Sequence, residues 1–512
     1  MEIIDANVRK EILNFNGSIV VSASAGSGKT TIMVEKIKKK VNEILDHKTV
    51  AAITFTVKAT EEIKKKANLL GINKEFIVMT NDSFVEYEII RPFLSDAYGR
   101  DYQKSFIISY DISDRFVSFD QGMKLLIEQN KLGTYRNNHN NFKFELARNV
   151  LSRSQAAREY IQSKYVSLFL DEYQDSDMNM HELFMYIKNM LKIDLFIVGD
   201  TKQAIYLWRG AHRDIFSLLK DEKMQFFELV TNFRSDFEIV NYANLLHNPL
   251  QFKIYEKNVN CVVHCITNNY IDSIVHLLEK GELDANKSIT IISNINSEAQ
   301  SIANDLNERG YNFIFIPKTP IDDSIDHSSI LRAICCYILD PKYSVYDITS
   351  LLRIEQTRTV LNKIENILKQ ITQLIPLSVD TSKSEIRKPF FDILNKFSEF
   401  FSLNIGASDI ELLLDTLTNE MFYPAFTESD DLYKVMTVFG AKGLEFYQVI
   451  SFSKYYNFND EGRKNNHYVC ITRAEKKIVM IEDGEYTRNI KLIAQEMGIL
   501  KKENLFKLID HT

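Results

Sequence analysis

A glycine-rich segment that carries a lysine and two threonines, Ser22–Thr31 (SASAGSGKTT), has the clearest chemical potential in this 512-residue chain. The apolar run Ser18–Val21 precedes it, and the lysine-bearing helical pattern Ile32–Val41 follows. In a strand–loop–helix of this kind, glycines let backbone N–H groups point at a phosphate chain, and the helix dipole adds positive potential. We expect Lys29 to reach the β- and γ-phosphates of a nucleotide and Thr30 to bind Mg²⁺.

An acidic pair, Asp171-Glu172, directly follows the apolar run Tyr165–Leu170 and supplies the other half of this chemistry. At the end of a strand, Asp171 is placed to hold a metal ion, and Glu172 to take a proton from an attacking water. The glycine loop departs from the strict phosphate-loop pattern because Ala23 replaces its first glycine. A flexible turn with an incidental lysine is the alternative interpretation of the loop. Together, the loop and the acidic pair predict a Mg²⁺-dependent nucleoside triphosphatase.

The sequence predicts alternating strands and helices, which would position the phosphate loop and the acidic pair. Apolar runs predict a first set of strands at 50–56, 76–80, 165–170, 195–198 and 226–230. A second α/β region follows, with strands expected at 288–293, 311–316, 432–437, 448–452 and 478–481 and a short helix at the end. Alternation of strands and helices is typical of parallel sheets. Two mainly helical stretches, about 90–155 and 325–430, are expected to be insertions.

Composition places the chain among ordinary globular proteins. It is 45% hydrophobic and 26% charged, with no apolar run of the roughly 20 residues that a membrane helix needs. Five scattered cysteines indicate core residues rather than a disulfide framework or a zinc site. A net charge of −7 does not point to nucleic acid, although a local basic groove suffices for binding it. We favour solvated helix faces over phosphate contacts for the lysine runs at 36–40 and 64–66. Without a membrane segment or signal-peptide pattern, we expect a cytoplasmic protein.

Eight short motifs, in order along the chain, make the sequence resemble the superfamily 1A DNA helicases of the UvrD/Rep/PcrA type. They are ASAGSGKT (23–30), TFTVKATEEI (54–63), TNDSF (80–84), LDEYQD (170–175), GDTKQAIYLWRGA (199–211), TNFRS (231–235), TVFGAKGLEF (437–446) and YVCITRA (468–474). The resemblance implies an α/β fold with two RecA-like phosphate-loop domains, each carrying an inserted subdomain. It implies a first domain at 1–89 and 156–227 with insertion 90–155, and a second at 228–324 and 431–512 with insertion 325–430.

The resemblance also implies roles for residues at matching positions. ATP, or another NTP or dNTP, with Mg²⁺ would bind between the two domains. The implied catalytic residues are Lys29, Glu172, Gln203, Arg234 and Arg473, with the two arginines stabilising phosphoryl charge. The implied nucleotide contacts are Ala25, Gly26, Ser27, Gly28, Lys29, Thr30, Thr31, Phe233, Arg234, Glu445 and Arg473, and the implied Mg²⁺ ligands are Thr30 and Asp171.

Single-stranded DNA is the polymer that the resemblance implies, with contacts from Thr56, Phe84, Tyr206 and Trp208. Aromatic stacking on unpaired bases tolerates any sequence, which suits a motor that walks along a strand. The alternative for Trp208 is a core tryptophan beside the sheet. Two departures from the family pattern concern DNA coupling, because Asp82 and Phe439 stand where the family has histidines. The glutamine with which the family reads adenine is also missing, and Asn7 lies near its place.

The short insertions and the Asn/Ile/Lys-rich composition further resemble the helicase-like subunits of Gabija anti-phage defence systems, which act beside an OLD-family nuclease. The expected function is therefore a DNA-dependent NTPase that couples ATP hydrolysis to 3′–5′ translocation on single-stranded DNA, in defence with a nuclease partner. One alternative is a subunit that senses DNA or its ends and hydrolyses NTPs with little unwinding. A second is an inactive helicase-fold scaffold, which the presence of Lys29, Glu172, Arg234 and Arg473 opposes.

Overall fold

The structure is a computed structural model that describes residues 3–109, 112–137, 139–207, 210–323, 327–352, 354, 356–375, 383–401, 403, 405–427, 432–499 and 501–512. Its strands are β1 Ile19–Ala23, β2 Thr49–Thr54, β3 Ile77–Thr80, β4 Ile107–Ile108, β5 Lys131–Leu132, β6 Tyr165–Leu170, β7 Asp194–Gly199, β8 Gln225–Leu229, β9 Val262–Thr267, β10 Ile289–Ser293, β11 Phe313–Ile316, β12 Tyr433–Thr437, β13 Phe446–Phe452, β14 Ala474–Glu482 and β15 Lys507–His511.

The helices alternate with these strands through most of the chain. They are α1 Ala6–Asn14, α2 Lys29–Glu43, α3 Val57–Leu69, α4 Asn81–Phe84, α5 Arg91–Tyr98, α6 Phe119–Gln129, α7 Phe142–Arg153, α8 Gln155–Lys164, α9 Met178–Leu191, α10 Ile215–Leu218, α11 Phe237–His247, α12 Tyr270–Glu279, α13 Asn296–Glu308, α14 Ser328–Leu339, α15 Val345–Leu352, α16 Arg358–Leu374, α17 Lys383–Phe400, α18 Ala407–Leu417, α19 Val438–Ala441, α20 Glu461–Ile471 and α21 Glu485–Glu496. None of the helices in the described ranges has the length and apolar character needed to cross a membrane.

The first sheet is parallel and has the strand order β3-β2-β6-β7-β1-β8. Strand β1 lies next to the edge strand β8 and pairs Val20 with Ile197 of β7 on one side and Phe226 of β8 on the other. Helices cover both faces, which is why its strands are near-continuous apolar runs. The expected strands of this region are confirmed within a few residues. The predicted domain boundary at 227/228 falls inside β8, which stays in the first sheet as far as Leu229.

The first insertion lies between β3 and β6. It packs α5, α7 and α8 against a π-helical turn, Val85–Ile90, that follows α4. The sequence predicted helices here and missed the two short strands β4 and β5, which pair in parallel. Two-residue strands carry no period-2 pattern, so only their pairing reveals them.

The second sheet is also parallel, with the order β11-β12-β10-β13-β14-β9-β15. The expected terminal helix is wrong, because the chain ends in β15 beside β9 at the edge of this sheet. The sequence reading also missed β9, which contains Cys265 in its buried run. No disulfide joins the five cysteines, all of which lie in the described ranges, and Cys265, Cys335 and Cys470 are buried as expected, whereas Cys261 and Cys336 are half-buried.

Helices α14–α18 form the second insertion, between β11 and β12, around a separate apolar core. The expectation of a helical stretch here is confirmed for the described residues. Its core comes from one face of each helix, as in the repeated Ile364, Leu368 and Ile371 of α16. These residues recur every three or four positions and therefore line one side of the helix.

Lys36 corrects the interpretation of 36–40 as a solvated face. Its ammonium Nζ donates to the backbone carbonyls of Leu13 and Phe15, at 2.9 and 2.6 Å. These carbonyls end α1, where no intrahelical N–H remains to satisfy them. Burial, followed by the charges of Lys40 and Lys39, lowers the pKa of Lys36 to about 8. Lys36 therefore anchors α1 to α2 rather than facing water.

Candidate nucleotide site and DNA-facing residues

The phosphate loop connects β1, which ends at Ala23, to α2, which begins at Lys29. Gly26 and Gly28 adopt φ angles of 71° and 79°, a region that residues with a Cβ rarely enter. A Cβ on Gly26 would also lie 2.6 Å from Nδ2 of Asn232, so no side chain fits there. Backbone geometry thus favours glycine at both positions, and the close approach of Asn232 also excludes a side chain at Gly26.

Two features of the loop fit a phosphate chain. Lys29, Thr30 and Thr31 form the first turn of α2, whose leading N–H groups have no partner within the helix. The hydroxyl of Ser27 is buried and makes no hydrogen bond to any residue in the described ranges. A buried polar group without a partner is costly. A phosphate oxygen at this loop would satisfy both the hydroxyl and the N–H groups.

The acidic pair lies at the carboxyl end of β6, beside the phosphate loop. Asp171 is buried and its Oδ1 accepts a hydrogen bond from the N–H of Glu172 at 2.8 Å. Glu172 has a φ of 52°, and its carboxylate lies 3.4 Å from Nζ of Lys29. This strained backbone turns the Glu172 side chain toward the lysine. A non-glycine residue in the left-handed region is a recurrent sign of a functional position.

The two carboxyl groups have opposite pKa shifts. Burial and the negative charge of Glu172 raise the pKa of Asp171. Burial opposes ionisation of Glu172 as well, but the charges of Lys29 and Lys442 outweigh it and lower the pKa of Glu172. Glu172 therefore ionises at a lower pH than Asp171. A divalent cation beside Asp171 would compensate its buried charge, so the donor set fits Mg²⁺.

Gln203 follows β7, the strand that pairs with β6 in the first sheet. Its Nε2 donates to Oδ2 of Asp200 at 2.8 Å, and its Oε1 lies 3.5 Å from Nη2 of Arg473. The Arg473 side chain is fully buried and donates to the carbonyls of Val469 and Leu444. Burial, then the charge of Arg234, lowers its pKa to about 10, which leaves it protonated at neutral pH.

Arg234 and Phe233 lie in the loop after β8, against the phosphate loop. The backbone N–H of Phe233 donates to the carbonyl of Gly26 at 2.8 Å, and the residue is 49% exposed. Arg234 donates through Nε to Oε2 of Glu445 at 2.7 Å and through Nη1 to the carbonyl of Thr472. The structure thus brings Phe233, Arg234 and Glu445 together with the phosphate loop, while their proposed roles stay predictions.

The sequence reading did not single out two residues that hold the loop from outside. Asn232 donates through Nδ2 to the carbonyl of Ala25 at 2.7 Å, and the N–H of Ala25 donates to the hydroxyl of Tyr468 at 3.2 Å. Tyr468 belongs to α20 and packs against the second sheet. Both residues lie inside quoted motifs, TNFRS and YVCITRA, so the motifs themselves were the signal.

Lys442 is a further contact across the cleft that the sequence reading did not assign. Its Nζ lies 2.6 Å from Oδ2 of Asp175 and 3.2 Å from the carbonyl of Gln203. The side chains of Lys442 and Asp175 are both nearly buried. It comes from the turn after α19, whereas Asp175 follows β6. The same ammonium lies 4.5 Å from the ring centroid of Tyr206. A buried ion pair thus joins the two halves of the chain.

The four predicted DNA contacts have different environments. Thr56 is exposed and caps α3 by accepting from the N–H of Ala59. Tyr206 is half-buried between Lys442 and Phe439, and Trp208 lies outside the described residues. Phe84 has no exposed surface and packs on other aromatic rings. A buried ring offers no face to a base, so we do not retain Phe84 among the proposed DNA contacts.

Similarity to known proteins agrees with this architecture. The sequence model of the UvrD/REP helicase N-terminal domain matches residues 4–135 and 110–224. The Gabija protein GajB of Bacillus cereus (strain VD045) is 39% identical over 508 residues, covering 98% of this chain and 100% of that protein. This chain belongs to the UvrD-like helicase family.

Other members of the helicase family match at lower sequence identity or over a shorter part of the chain. The ATP-dependent DNA helicase Rep of Buchnera aphidicola subsp. Schizaphis graminum is 26% identical over 493 residues, covering 82% of this chain and 73% of that protein. The RecBCD enzyme subunit RecB of Buchnera aphidicola subsp. Acyrthosiphon pisum is 38% identical over 112 residues, 20% of this chain. Membership of the family means that the two parallel sheets are its two RecA-like domains.

Proposed function

We propose that this UvrD-like chain is a DNA-stimulated NTPase that couples ATP hydrolysis to 3′–5′ translocation on single-stranded DNA. The observation that carries the proposal is the meeting of Arg473, from the second sheet, with Gln203 beside the phosphate loop of the first. Both sheets thereby contribute to one cleft. Chemistry at that cleft depends on its closure, and closure is the movement that a motor converts into steps.

In this proposal, the phosphate chain of ATP or another NTP lies on Ala25–Thr31, with Lys29 against its terminal phosphates. Thr30 and Asp171 would hold Mg²⁺, and the ion would supply positive charge against the phosphates. Glu172, kept ionised by Lys29 and Lys442, accepts the proton of the attacking water. Gln203 senses the γ-phosphate, and Arg473 and Arg234 stabilise the negative charge that develops during transfer.

DNA contact is proposed for Thr56, Tyr206 and Trp208. Thr56 follows the carboxyl end of β2, and Tyr206 follows β7 in the loop that also carries Gln203. The Tyr206 ring lies against Lys442, which in turn bonds the Gln203 carbonyl. A base that displaced Tyr206 would therefore disturb the nucleotide side of the same cleft. This contact chain supplies a physical route by which DNA can stimulate hydrolysis.

We propose that the biological setting is Gabija anti-phage defence in the cytoplasm, with an OLD-family nuclease as partner. The full-length similarity to GajB supports this, because both proteins align over essentially their whole lengths. The domain division proposed from sequence is kept, with one change: the first domain extends to Leu229 because β8 belongs to its sheet.

A second candidate is a DNA-sensing NTPase with little unwinding. One observation favours it: Phe84 is buried in the core around the first sheet, so one of the expected contacts to single-stranded DNA is missing. Unwinding of a duplex with a single-stranded tail, measured with and without the nuclease, separates the two functions. The motor predicts ATP-dependent strand separation, whereas the sensor predicts hydrolysis without it.

Steady-state hydrolysis with and without single-stranded DNA tests the proposal. We expect DNA to stimulate hydrolysis and Lys29→Ala to abolish it, because this ammonium is the main cation at the proposed phosphate site. Lys10→Gln, on the exposed side of α1, is the control and should behave as the wild type. Hydrolysis no faster than in Lys29→Ala under all conditions would refute a functional motor and favour the scaffold.

A further inference from the structure

A continuous chain of hydrogen-bonded side chains runs through the core beside the second sheet. Nε2 of His247, on α11, lies 3.0 Å from Nδ1 of His467, on α20. Nε2 of His467 lies 2.6 Å from the hydroxyl of Tyr486, on α21. That hydroxyl lies 2.8 Å from the hydroxyl of Tyr242, which is also on α11. His467, Tyr486 and Tyr242 are buried, and His247 is partly buried.

The other end of the chain is a buried carboxylate. The Tyr242 hydroxyl lies 2.8 Å from Nε2 of His264, on β9, and Nδ1 of His264 lies 2.6 Å from the hydroxyl of Thr487. The Thr487 hydroxyl donates to Oε1 of Glu482, the last residue of β14. The chain therefore connects α11, α20 and α21 with two strands of the second sheet.

The three histidines of the chain are neutral at neutral pH. Burial lowers the pKa of each of them. The charges of Lys464 and Lys202 add to this effect at His247, whereas Glu482 opposes it at His264. A neutral imidazole has one donor nitrogen and one acceptor nitrogen, so each ring passes the chain on in a single direction.

The carboxylate fixes that direction. Although burial opposes its ionisation, hydrogen bonds from His264 and Thr487 lower the pKa of Glu482, and a carboxylate only accepts. The Thr487 proton goes to Glu482, so the proton on Nδ1 of His264 goes to the Thr487 oxygen. Nε2 of His264 must then accept. The remaining donations follow in order: Tyr242 to His264, Tyr486 to Tyr242, His467 through Nε2 to Tyr486, and His247 through Nε2 to His467.

The chain joins the two helices that flank the proposed arginines. Helix α11 begins three residues after Arg234, and α20 ends two residues before Arg473. Two links join these helices, namely the direct contact between the two histidines and the path through Tyr242 and Tyr486. A buried polar network in which every group is satisfied favours one arrangement of its elements. The chain therefore holds α20 at one position relative to α11.

The His247 end of the chain lies close to the phosphate loop. The ring of His247 packs edge-on against that of Tyr468, with 5.0 Å between the centroids. Tyr468 follows His467 on α20, and its hydroxyl accepts from the N–H of Ala25. A shift of α20 would therefore move Arg473 relative to the phosphate loop as well as to Arg234.

We propose that His467 and Tyr486 are positioning residues, which lock α20 to α11 and thereby set the distance between Arg473 and Arg234 at the proposed nucleotide site. This inference rests on the proposed function, because it assigns the chain an effect on the same phosphoryl transfer. Neither residue is assigned a contact with the nucleotide, and both act through Arg473.

A double-mutant cycle between Tyr486→Phe and Arg473→Ala tests the proposal. Tyr486→Phe keeps the ring and removes the hydroxyl that joins His467 to Tyr242. We expect it to lower kcat for DNA-stimulated ATP hydrolysis by about tenfold or more, because a displaced catalytic group slows the chemical step. The KM for ATP should stay within about twofold of the wild type. In Arg473→Ala, the same change should have no further effect on kcat.

Tyr135→Phe is the matched control. The Tyr135 hydroxyl is also part of a buried tyrosine, and it donates to Oε2 of Glu145 at 2.7 Å within the first insertion. This variant should keep the wild-type kcat. Equal losses of kcat from Tyr486→Phe with and without Arg473 would overturn the proposal and leave the chain as a support of the fold. An unchanged kcat in Tyr486→Phe would overturn it too.

NMR of protein with ¹⁵N-labelled histidine tests the chain itself. The signals of His467 are identified by their loss in His467→Gln. In the wild type we expect a neutral ring with its proton on Nε2 from about pH 6 to pH 8, and Tyr486→Phe should shift the Nε2 signal. A ring that titrates near the usual pKa of about 6.5, or that carries its proton on Nδ1, would overturn the proposal.

Binding of ADP with aluminium fluoride, which mimics the phosphoryl group in transfer, separates this proposal from the proposed hydrolysis. If the wild type hydrolyses no NTP but Tyr486→Phe weakens this binding only while Arg473 is present, the positioning role stands and the motor function fails. If hydrolysis occurs but the losses add in both assays, only the positioning role fails. Thermal unfolding identifies a variant that does not fold. Tyr242→Phe, which breaks the same path at the next hydroxyl, then replaces Tyr486→Phe in the cycle.

Discussion

The two parallel sheets contribute to the cleft from opposite ends of their strands. In the first sheet, the phosphate loop, Asp171 and Gln203 follow the carboxyl ends of β1, β6 and β7. In the second, Glu445 and Arg473 immediately precede the amino ends of β13 and β14. Open α/β sheets usually bind ligands at the carboxyl ends of their strands. The first sheet follows that rule, and the second supplies long side chains from its other edge.

The two sheets therefore contribute different groups to the proposed nucleotide site. The first sheet offers backbone N–H groups together with Lys29, Glu172 and Gln203, which its own turns hold in place. The second sheet contributes the side chain of Arg473, which extends across the cleft. Its position relative to Gln203 depends on how the two sheets pack against each other. One half of the site is therefore local, and the other depends on how the two sheets pack together.

Removal of Arg473 tests the contribution of the second sheet most strongly. We expect Arg473→Ala to reduce kcat by about 10³-fold or more, the usual value of an arginine that stabilises phosphoryl charge. The measurement is single-turnover ATP hydrolysis with saturating single-stranded DNA. Arg463→Ala, exposed on the preceding helix, is the control and should keep normal rates. An active Arg473→Ala would assign the residue to packing alone.

Replacement of Glu172 tests the first sheet by itself. We expect Glu172→Gln to reduce kcat by about 10²- to 10⁴-fold with little change in nucleotide affinity, because the amide cannot accept the proton. Hydrolysis and binding of a fluorescent nucleotide, measured side by side, distinguish the two effects. Glu11→Gln, exposed on α1, serves as the matched substitution. A parallel loss of affinity would contradict a role confined to the chemical step.

Disruption of the ion pair between Lys442 and Asp175 tests how strongly the two sides of the cleft depend on each other. Removing one partner of a buried pair costs about 3–5 kcal/mol, and part of this cost opposes closure. We therefore expect Lys442→Met to lose about 10- to 100-fold of the DNA-stimulated rate. The pair Lys442–Asp175 is tested by a double-mutant cycle with Asp175→Asn. Strictly additive losses would show that the two residues act independently.

The smallest effect is expected on α2, away from the cleft. Lys38 donates to the Leu70 carbonyl at 2.7 Å, so Lys38→Glu should cost about one hydrogen bond of stability, roughly 1 kcal/mol. Hydrolysis and the affinity for single-stranded DNA should stay within about twofold of the wild type. Fluorescence anisotropy of labelled oligo-dT gives that affinity. A large loss would place a DNA phosphate on this helix.

Local sequence patterns predicted the first half of the site well. The strand–loop–helix around Lys29 and the strand before Asp171 appear within a few residues of their expected bounds, since each is encoded by a contiguous run. The same patterns missed β9 and β15, which pair at the sheet edge over a long sequence separation. They also placed Phe84 on DNA, whereas packing against Tyr165 and Phe184 buries it.

By itself, the sequence determined the order of strands and helices, the phosphate loop and the residue types available for catalysis. Those features depend on hydrophobic period and on glycine, which act over a few neighbouring residues. Only the tertiary structure decided which distant residues share the cleft: Arg473 with Gln203, and Lys442 with Asp175. Such pairings arise when distant parts of the chain pack together, and no local pattern encodes the distance between them.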